Sequence, residues 1–175
     1  MKNICIVLLM LVFSTTAKAA LTDSVMVDSK NKKIQIGSFI LAKDSAPSSI
    51  KKYFGTPSRI ETSSAGVERT YAYDDLGLSF AIDPTGKVIE AVIINYNWDG
   101  DKKAAKSAYK GKLTLDAYTI TELTSSSDIN TNTKINNIMC VGEIMCMTPP
   151  GKSNVVVLIG YQDKKITQIG FGLVN

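Results

Sequence analysis

Apolar positions in this chain alternate over short stretches more often than they recur at helical spacing. Lys33 to Leu41 reads K-I-Q-I-G-S-F-I-L, with Ile34 and Ile36 on one side of a strand. Further on, Arg69, Tyr71 and Tyr73 share one strand face while Thr70 and Ala72 share the other. Leu78, Phe80 and Ile82 face the core from the next strand, and Val88 to Tyr96 is apolar on both faces, as a central strand beneath a helix should be. Ile60 belongs to a short strand after Pro57. The turn signals Ser63-Ser64-Ala65-Gly66, Asp74-Asp75-Leu76-Gly77 and Asp83-Pro84-Thr85-Gly86 separate these runs. One helix is punctuated clearly: Ser45 is its expected cap, Pro47 falls in the first turn, and Gly55 and Pro57 stop it. Ile50 and Phe54, four apart, form its buried face.

Asn97 to Gly111 changes character, being charged, Ala-rich and closed by Gly, and predicts a turn followed by a short exposed helix. The pattern then echoes. Lys33 to Ser45 aligns with Lys112 to Thr124 at an offset of 79, placing Ile34, Ile36, Phe39 and Leu41 on Leu113, Leu115, Tyr118 and Ile120. Ile60 meets Ile138, and G-K-V-I at Gly86 meets K-K-I-T at Lys164, at an offset of 78. Two similar offsets at separate places imply an internal duplication. The expected fold is α+β: two tandem repeats, each a short helix packed on a small antiparallel sheet, over residues 33–96 and 112–175, joined by a linker with a short helix at 97–111. Leu21 to Asn31 is polar with isolated apolar residues, so residues 20–32 read as a flexible arm. Ser125 to Asn137, rich in Ser, Thr and Asn, predicts a weaker helix, and a last hairpin, Val155 to Ile159 with Ile166 to Leu173, is expected to close the sheet.

Residues 1–19 have the layout of a secretory signal peptide: Lys2, a ten-residue apolar core from Ile4 to Phe13, and Ala17-Lys18-Ala19 before a cleavage point at Ala20. That core is too short to span a bilayer. Cys5 lies inside it and not at the cleavage point, which speaks against a lipid anchor. The expected compartment is the periplasm or the outside medium. Cleavage removes Lys2 and Lys18 from the 20 Lys and Arg, leaving 18 basic residues against 16 acidic. A charge so weak and mixed gives no footprint for nucleic acid or an anionic membrane.

Cys140 and Cys146 then remain, in I-M-C-V-G-E-I-M-C-M, and an even pair in an oxidising compartment is most simply a disulfide. Six positions along an extended strand span roughly 20 Å, so joining them requires the chain to reverse near Val141-Gly142-Glu143. A redox pair or two metal ligands are the alternatives, but redox sites favour C-x-x-C and metal sites want three or four ligands.

Catalytic constellations are thin. The sequence contains no His, which excludes the usual Ser-His, Cys-His and zinc-His sites. Ser48 to Lys51 and Ser107 to Lys110 match S-x-x-K, without the K-T-G partner that penicillin-binding chemistry needs. Asp74 and Asp75 are adjacent at a turn, which they cap. Asn95 to Lys106 begins like a calcium loop but carries Lys106 where a bidentate Glu belongs, and no metal or cofactor is expected.

A helix ending in F-G-T-P, then Y-x-Y and an L-x-F-x-I-D-x-x-G-K-V hairpin, resembles the small envelope modules of the SmpA/BamE outer-membrane assembly family. Two such units in one exported chain are similar to the beta-lactamase inhibitor protein family, with the difference that a strand at Ile34 opens the first unit here. The resemblance implies a non-catalytic module whose sheet surface grips another protein. Aromatic and Arg side chains are enriched at interface hot spots. The expected contact surface is therefore Arg69, Tyr71, Tyr73 and Trp98, with Asp74, Asp75 and Asp99 nearby, plugging a cleft of an enzyme or toxin in the envelope as an inhibitor or immunity protein. An envelope-assembly component and a small-ligand carrier are the alternatives, the latter requiring a deep apolar cavity.

Overall fold

The computed structural model describes residues 22–62, 69–135, 137–142, 144–149, 151 and 153–173; the signal segment and the Ser63-Ser64-Ala65-Gly66 turn lie outside them. The alternating stretches build two sheets. The smaller has five strands in the order β3-β2-β1-β8-β9: β1 is Ser24–Asp28, β2 Lys33–Ile36, β3 Phe39–Leu41, β8 Lys112–Leu115 and β9 Tyr118–Ile120. At its centre β1 pairs antiparallel with β2, setting Val27 opposite Ile34, and parallel with β8, setting Val25 opposite Leu113. The two echoing stretches thus form hairpins of equal length on either side of one shared strand. The second hairpin turns through Asp116 and Ala117, both at positive φ. Asp116 holds that turn by accepting bonds from the Ser29 amide (2.8 Å), the Ser29 hydroxyl (2.6 Å) and the Lys134 amide (2.8 Å).

The larger sheet has eight antiparallel strands in the order β10-β11-β12-β13-β7-β6-β5-β4. One meander consists of β4 Arg59–Thr62, β5 Arg69–Tyr73, β6 Leu78–Ile82 and β7 Ile89–Asn95; the other of β10 Met139–Val141, β11 Met145–Met147, β12 Val155–Gln162 and β13 Lys165–Leu173. They join where β13 pairs with β7. One face of this sheet is core. The cross-strand row Val157–Phe171–Val92–Phe80–Tyr71 is buried throughout.

Helix α1 (Pro47–Phe54) sits between the sheets. Phe54 packs against Phe39 of the small sheet and against Tyr73 and Phe80 of the large one, with ring centroids 5.4, 5.7 and 5.4 Å away. Its N-cap is Ala46, not Ser45; Ser45 turns the chain earlier by accepting the Ala42 amide. Gly55, at φ 83°, ends the helix and donates to the Lys51 carbonyl. Helix α2 (Ser126–Asn132) is fixed by a reciprocal capping box between Ser125 and Asp128 and buries Ile129.

Several expectations are corrected. The fold is mostly β, and it is not two helix-on-sheet repeats: both halves contribute to both sheets, and the described residues contain two helices of eight and seven residues. The segment read as a flexible arm holds β1, whose Val25 and Val27 are almost wholly buried. Residues 97–111 carry no helix; Ala104, Ala105 and Tyr109 are buried there, since the segment is pressed onto the large sheet. The last hairpin does not close the sheet but supplies its middle, because β13 has β12 on one side and β7 on the other.

Candidate functional site

Cross-strand partners share a sheet face, so the register defines the large sheet's other side. One row crosses all eight strands as Met139–Met147–Leu158–Gly170–Ile93–Ser79–Ala72–Arg59. A second runs Val156–Gly172–Ala91–Ala81–Thr70, and a third Val141–Met145–Gly160–Gln168–Asn95. Gly170, Gly172 and Gly160 with Ala91 and Ala81 leave low ground in these rows beside Ile93 and Gln168, and this forms the floor of a depression. Ile144, Met145, Val156 and Leu158 make an aliphatic wall on the second meander. The resulting groove has a cavity volume of about 1150 Å³. Its wall is open to solvent: Leu158 is 43% exposed, Met145 37% and Val156 36%, and Met139 and Val141 extend it to the sheet edge at 61% and 63%.

Thr70, Ala81, Ala91 and Ile93 of the first meander line this groove, whereas its Ser79, Ala72 and Arg59 lie towards residues 97–111. Arg59 clamps them, donating to the Lys102 and Ala104 carbonyls (both 2.6 Å) while pairing with Asp74 (3.0 Å) and Glu61 (2.8 Å). Burial opposes ionisation of Asp74, but bonds from Arg59 and the Lys106 amide outweigh it and leave its carboxyl below the usual value. The segment is closed by the Tyr109 amide donating to the Asn95 carbonyl (2.7 Å), directly over Gly77. Beneath it lie two buried side-chain oxygens with no hydrogen-bond partner, Ser79 Oγ and Asn95 Oδ1.

At one end of the groove, Asp99 and Asp101 are held in a tight turn, in which Asp101 accepts from Gln168 (3.2 Å) and from the Lys103 amide (2.8 Å). At the other, Asp83 accepts from the Thr85 hydroxyl and from the amides of Thr85, Lys87 and Val88, and these bonds pull its carboxyl down to about 2. Among the described residues, no three His, Cys, Asp or Glu side chains are grouped to hold a metal.

The sequence-derived contact residues scatter. Tyr71 and Tyr73 face the core, 8% and 3% exposed. The Tyr73 hydroxyl donates to the Gly55 carbonyl (2.9 Å), and burial, with Tyr71 beside it, pushes its pKa up to about 12. Lys51 of α1 lies over the Tyr71 ring at 4.9 Å. Asp74 is tied to Arg59, and Asp75 is exposed on the 3-10 turn Asp74–Leu76. Arg69 and Asp99 do line the groove, and Trp98, 47% exposed, stands beside Asp99 with its indole N–H donating to the Asp101 carbonyl (3.1 Å). Tyr71 and Tyr73 thus offer no exposed aromatic face, and the exposed apolar side chains on the large sheet's outer side are aliphatic. Sequence reasoning missed Val156 and Leu158, although their alternation with buried Val155, Val157 and Ile159 was the available signal. Cys140 and Cys146 are disulfide-bonded across β10 and β11, Cα atoms 4.0 Å apart, with the half-cystine of Cys146 buried in the core face.

These features define a mostly β, two-sheet domain with an apolar groove on the outer side of its large sheet. The chain belongs to the family described as Domain of unknown function (DUF7738), whose profile matches residues 26–130. That match runs from β1 into α2; Met139, Met145, Val156 and Leu158 lie beyond it. No curated protein matches the chain. Among solved structures it is similar to an extracellular protein containing a SCP domain from Bacillus anthracis str. Ames, at 12% identity and a TM-score of 0.46, over 74% of this chain and 43% of that one. The chain therefore spans less than half the length of that structure.

Proposed function

We propose that this protein is a non-catalytic binding module, working outside the cytoplasm, that holds part of another protein against the outer face of its large sheet. The observation that carries this reading is the exposed strip Met139, Val141, Met145, Val156 and Leu158 running into the groove. Scattered exposed apolar side chains are ordinary, but a contiguous strip beside a concavity and rimmed by charge has the layout of an interface core and rim. The signal-like N-terminal sequence and the Cys140–Cys146 bond support an oxidising location, periplasmic or secreted. The resemblance to tandem inhibitor and envelope-assembly modules supports a protein partner. In its finest form the partner is an enzyme or toxin acting in the envelope, and binding occludes it.

Leu158→Asp and Met145→Asp place charge on the strip without touching the core face. Each variant is expected to keep the wild-type circular dichroism and to lose the partner in a pull-down from envelope extract. Retention of the same partner by both folded variants would sink this site. A small-ligand carrier is the second reading, favoured by the groove's volume; extraction of the purified protein with organic solvent, followed by mass spectrometry, would then release one apolar compound in stoichiometric amount.

A further inference from the structure

The groove differs in charge from the rest of the chain. Among the described residues, five acidic ones line it, Asp44, Asp83, Glu90, Asp99 and Asp101, against three basic ones, Lys43, Arg69 and Lys103. Without its signal segment the chain carries 18 basic residues against 16 acidic, so the excess of acid along the groove runs against the balance of the chain. An acidic rim on a basic chain is a selective feature, because like charge on a partner is repelled where opposite charge is drawn in. The acids stand at both ends of the trough: Asp99 and Asp101 beside the Gly160–Gln168 row, and Asp83 and Glu90 beside the Val156–Gly172 row. The bonds given to Asp83, Asp99 and Asp101 come from hydroxyl, amide and backbone donors, which orient the carboxylates and carry no charge of their own.

We infer that the occupant of the groove is a polypeptide segment with an apolar centre and Lys or Arg towards its ends. The apolar centre lies on the glycine and alanine floor against Leu158 and Val156, and the cationic ends meet the carboxylates at either end. This inference rests on the proposed binding function and adds the chemical class of the partner. It also accounts for the partition of residue types: aliphatic contact supplies affinity, and the rim supplies choice and rate of encounter.

Trp98, the single tryptophan, stands at the rim next to Asp99 and reports binding by its fluorescence. Three synthetic peptides share an alternating leucine–serine centre and end in lysines, glutamates or serines. The full-length protein is expected to bind the lysine-ended peptide at least tenfold more tightly than the glutamate-ended one. That preference should shrink as salt is raised, and Asp99→Lys combined with Glu90→Lys should reverse it. Equal affinity for all three peptides, each abolished by Leu158→Asp, would overturn the charge selection and leave the site standing. Failure of the lysine-ended peptide to bind would also overturn it; the pull-down with Leu158→Asp then decides separately whether the groove binds protein at all.

Discussion

The two meanders of the large sheet have the same number of strands and meet symmetrically at β7 and β13, yet their outer faces are treated in opposite ways. The first presents Arg59, Ala72 and Ser79, small or hydrogen-bonding residues, and covers them with residues 97–111. The second presents Met139, Met147 and Leu158 at the matching places in the same row and leaves them accessible. A face designed to be covered from within uses short side chains and a clamp; one left open carries large aliphatic groups that water does not favour. This difference, more than any single residue, supports the proposed contact surface.

The contrast can be broken most severely at its glycines. A Cβ on Gly77, already at φ 67°, would land on the backbone of Ala108 and Tyr109, so Gly77→Ala should cost about 4 kcal/mol from overpacking and strain together. A Cβ on Gly170 in the open floor meets only ordinary contacts from 3.8 Å, and Gly170→Ala should change stability by no more than about 0.5 kcal/mol while narrowing the groove. Urea unfolding of both variants measures the gap. Arg59→Ala removes the clamp and strands Asp74, for an expected loss of about 3 kcal/mol by the same method, with faster amide exchange at Lys106 and Tyr109. Reducing Cys140–Cys146 releases a short loop at the opposite edge and should lower stability by about 2 kcal/mol in the chain-entropy account. If reduction instead cost more than the loss of Arg59, the second meander would depend on its staple more than the first depends on its cover. The effect at Asp83 depends on pH. Its folded pKa, near 2, lies below the unfolded value near 4, so its contribution is complete above pH 4 and disappears as pH falls through about 2. Asp83→Asn should flatten acid titration of stability in that window, as read by denaturation at successive pH values.

Local signals carried the parts of this fold that are local. The helix between Pro47 and Gly55, the buried Leu78, Phe80 and Ile82, and the reversal that brings Cys140 to Cys146 could be read from alternation and turn residues, whereas Lys33 to Leu41, whose alternation reads as one strand, is a hairpin turning at Gly37 and Ser38. What escaped depends on partners distant in the chain. The strand β1 is five residues of S-V-M-V-D whose parallel neighbour comes more than eighty positions later, and nothing nearby marks it as central. Residues 97–111 have Ala-rich helical composition, but Arg59 and Asp74 capture their backbone groups, so tertiary bonds override propensity. Tyr71 and Tyr73 looked like anchors because strand alternation gives a face without saying which face is inside. The groove was hidden for a different reason: Gly160, Gly170 and Gly172 read as weak strand formers until the register of β12 and β13 sets them on one face.

The central position of β1 also decides how the chain can be divided. Its partner β8 is synthesised long after it, so an N-terminal fragment ending before Lys112 would leave one side of Ser24–Asp28 as a raw hydrogen-bonding edge, with Val25 and Val27 wetted. A C-terminal fragment would begin with a hairpin that has lost its companion strand. Either cut therefore trades a paired strand for an open edge, and those five residues are what stitch the two halves together.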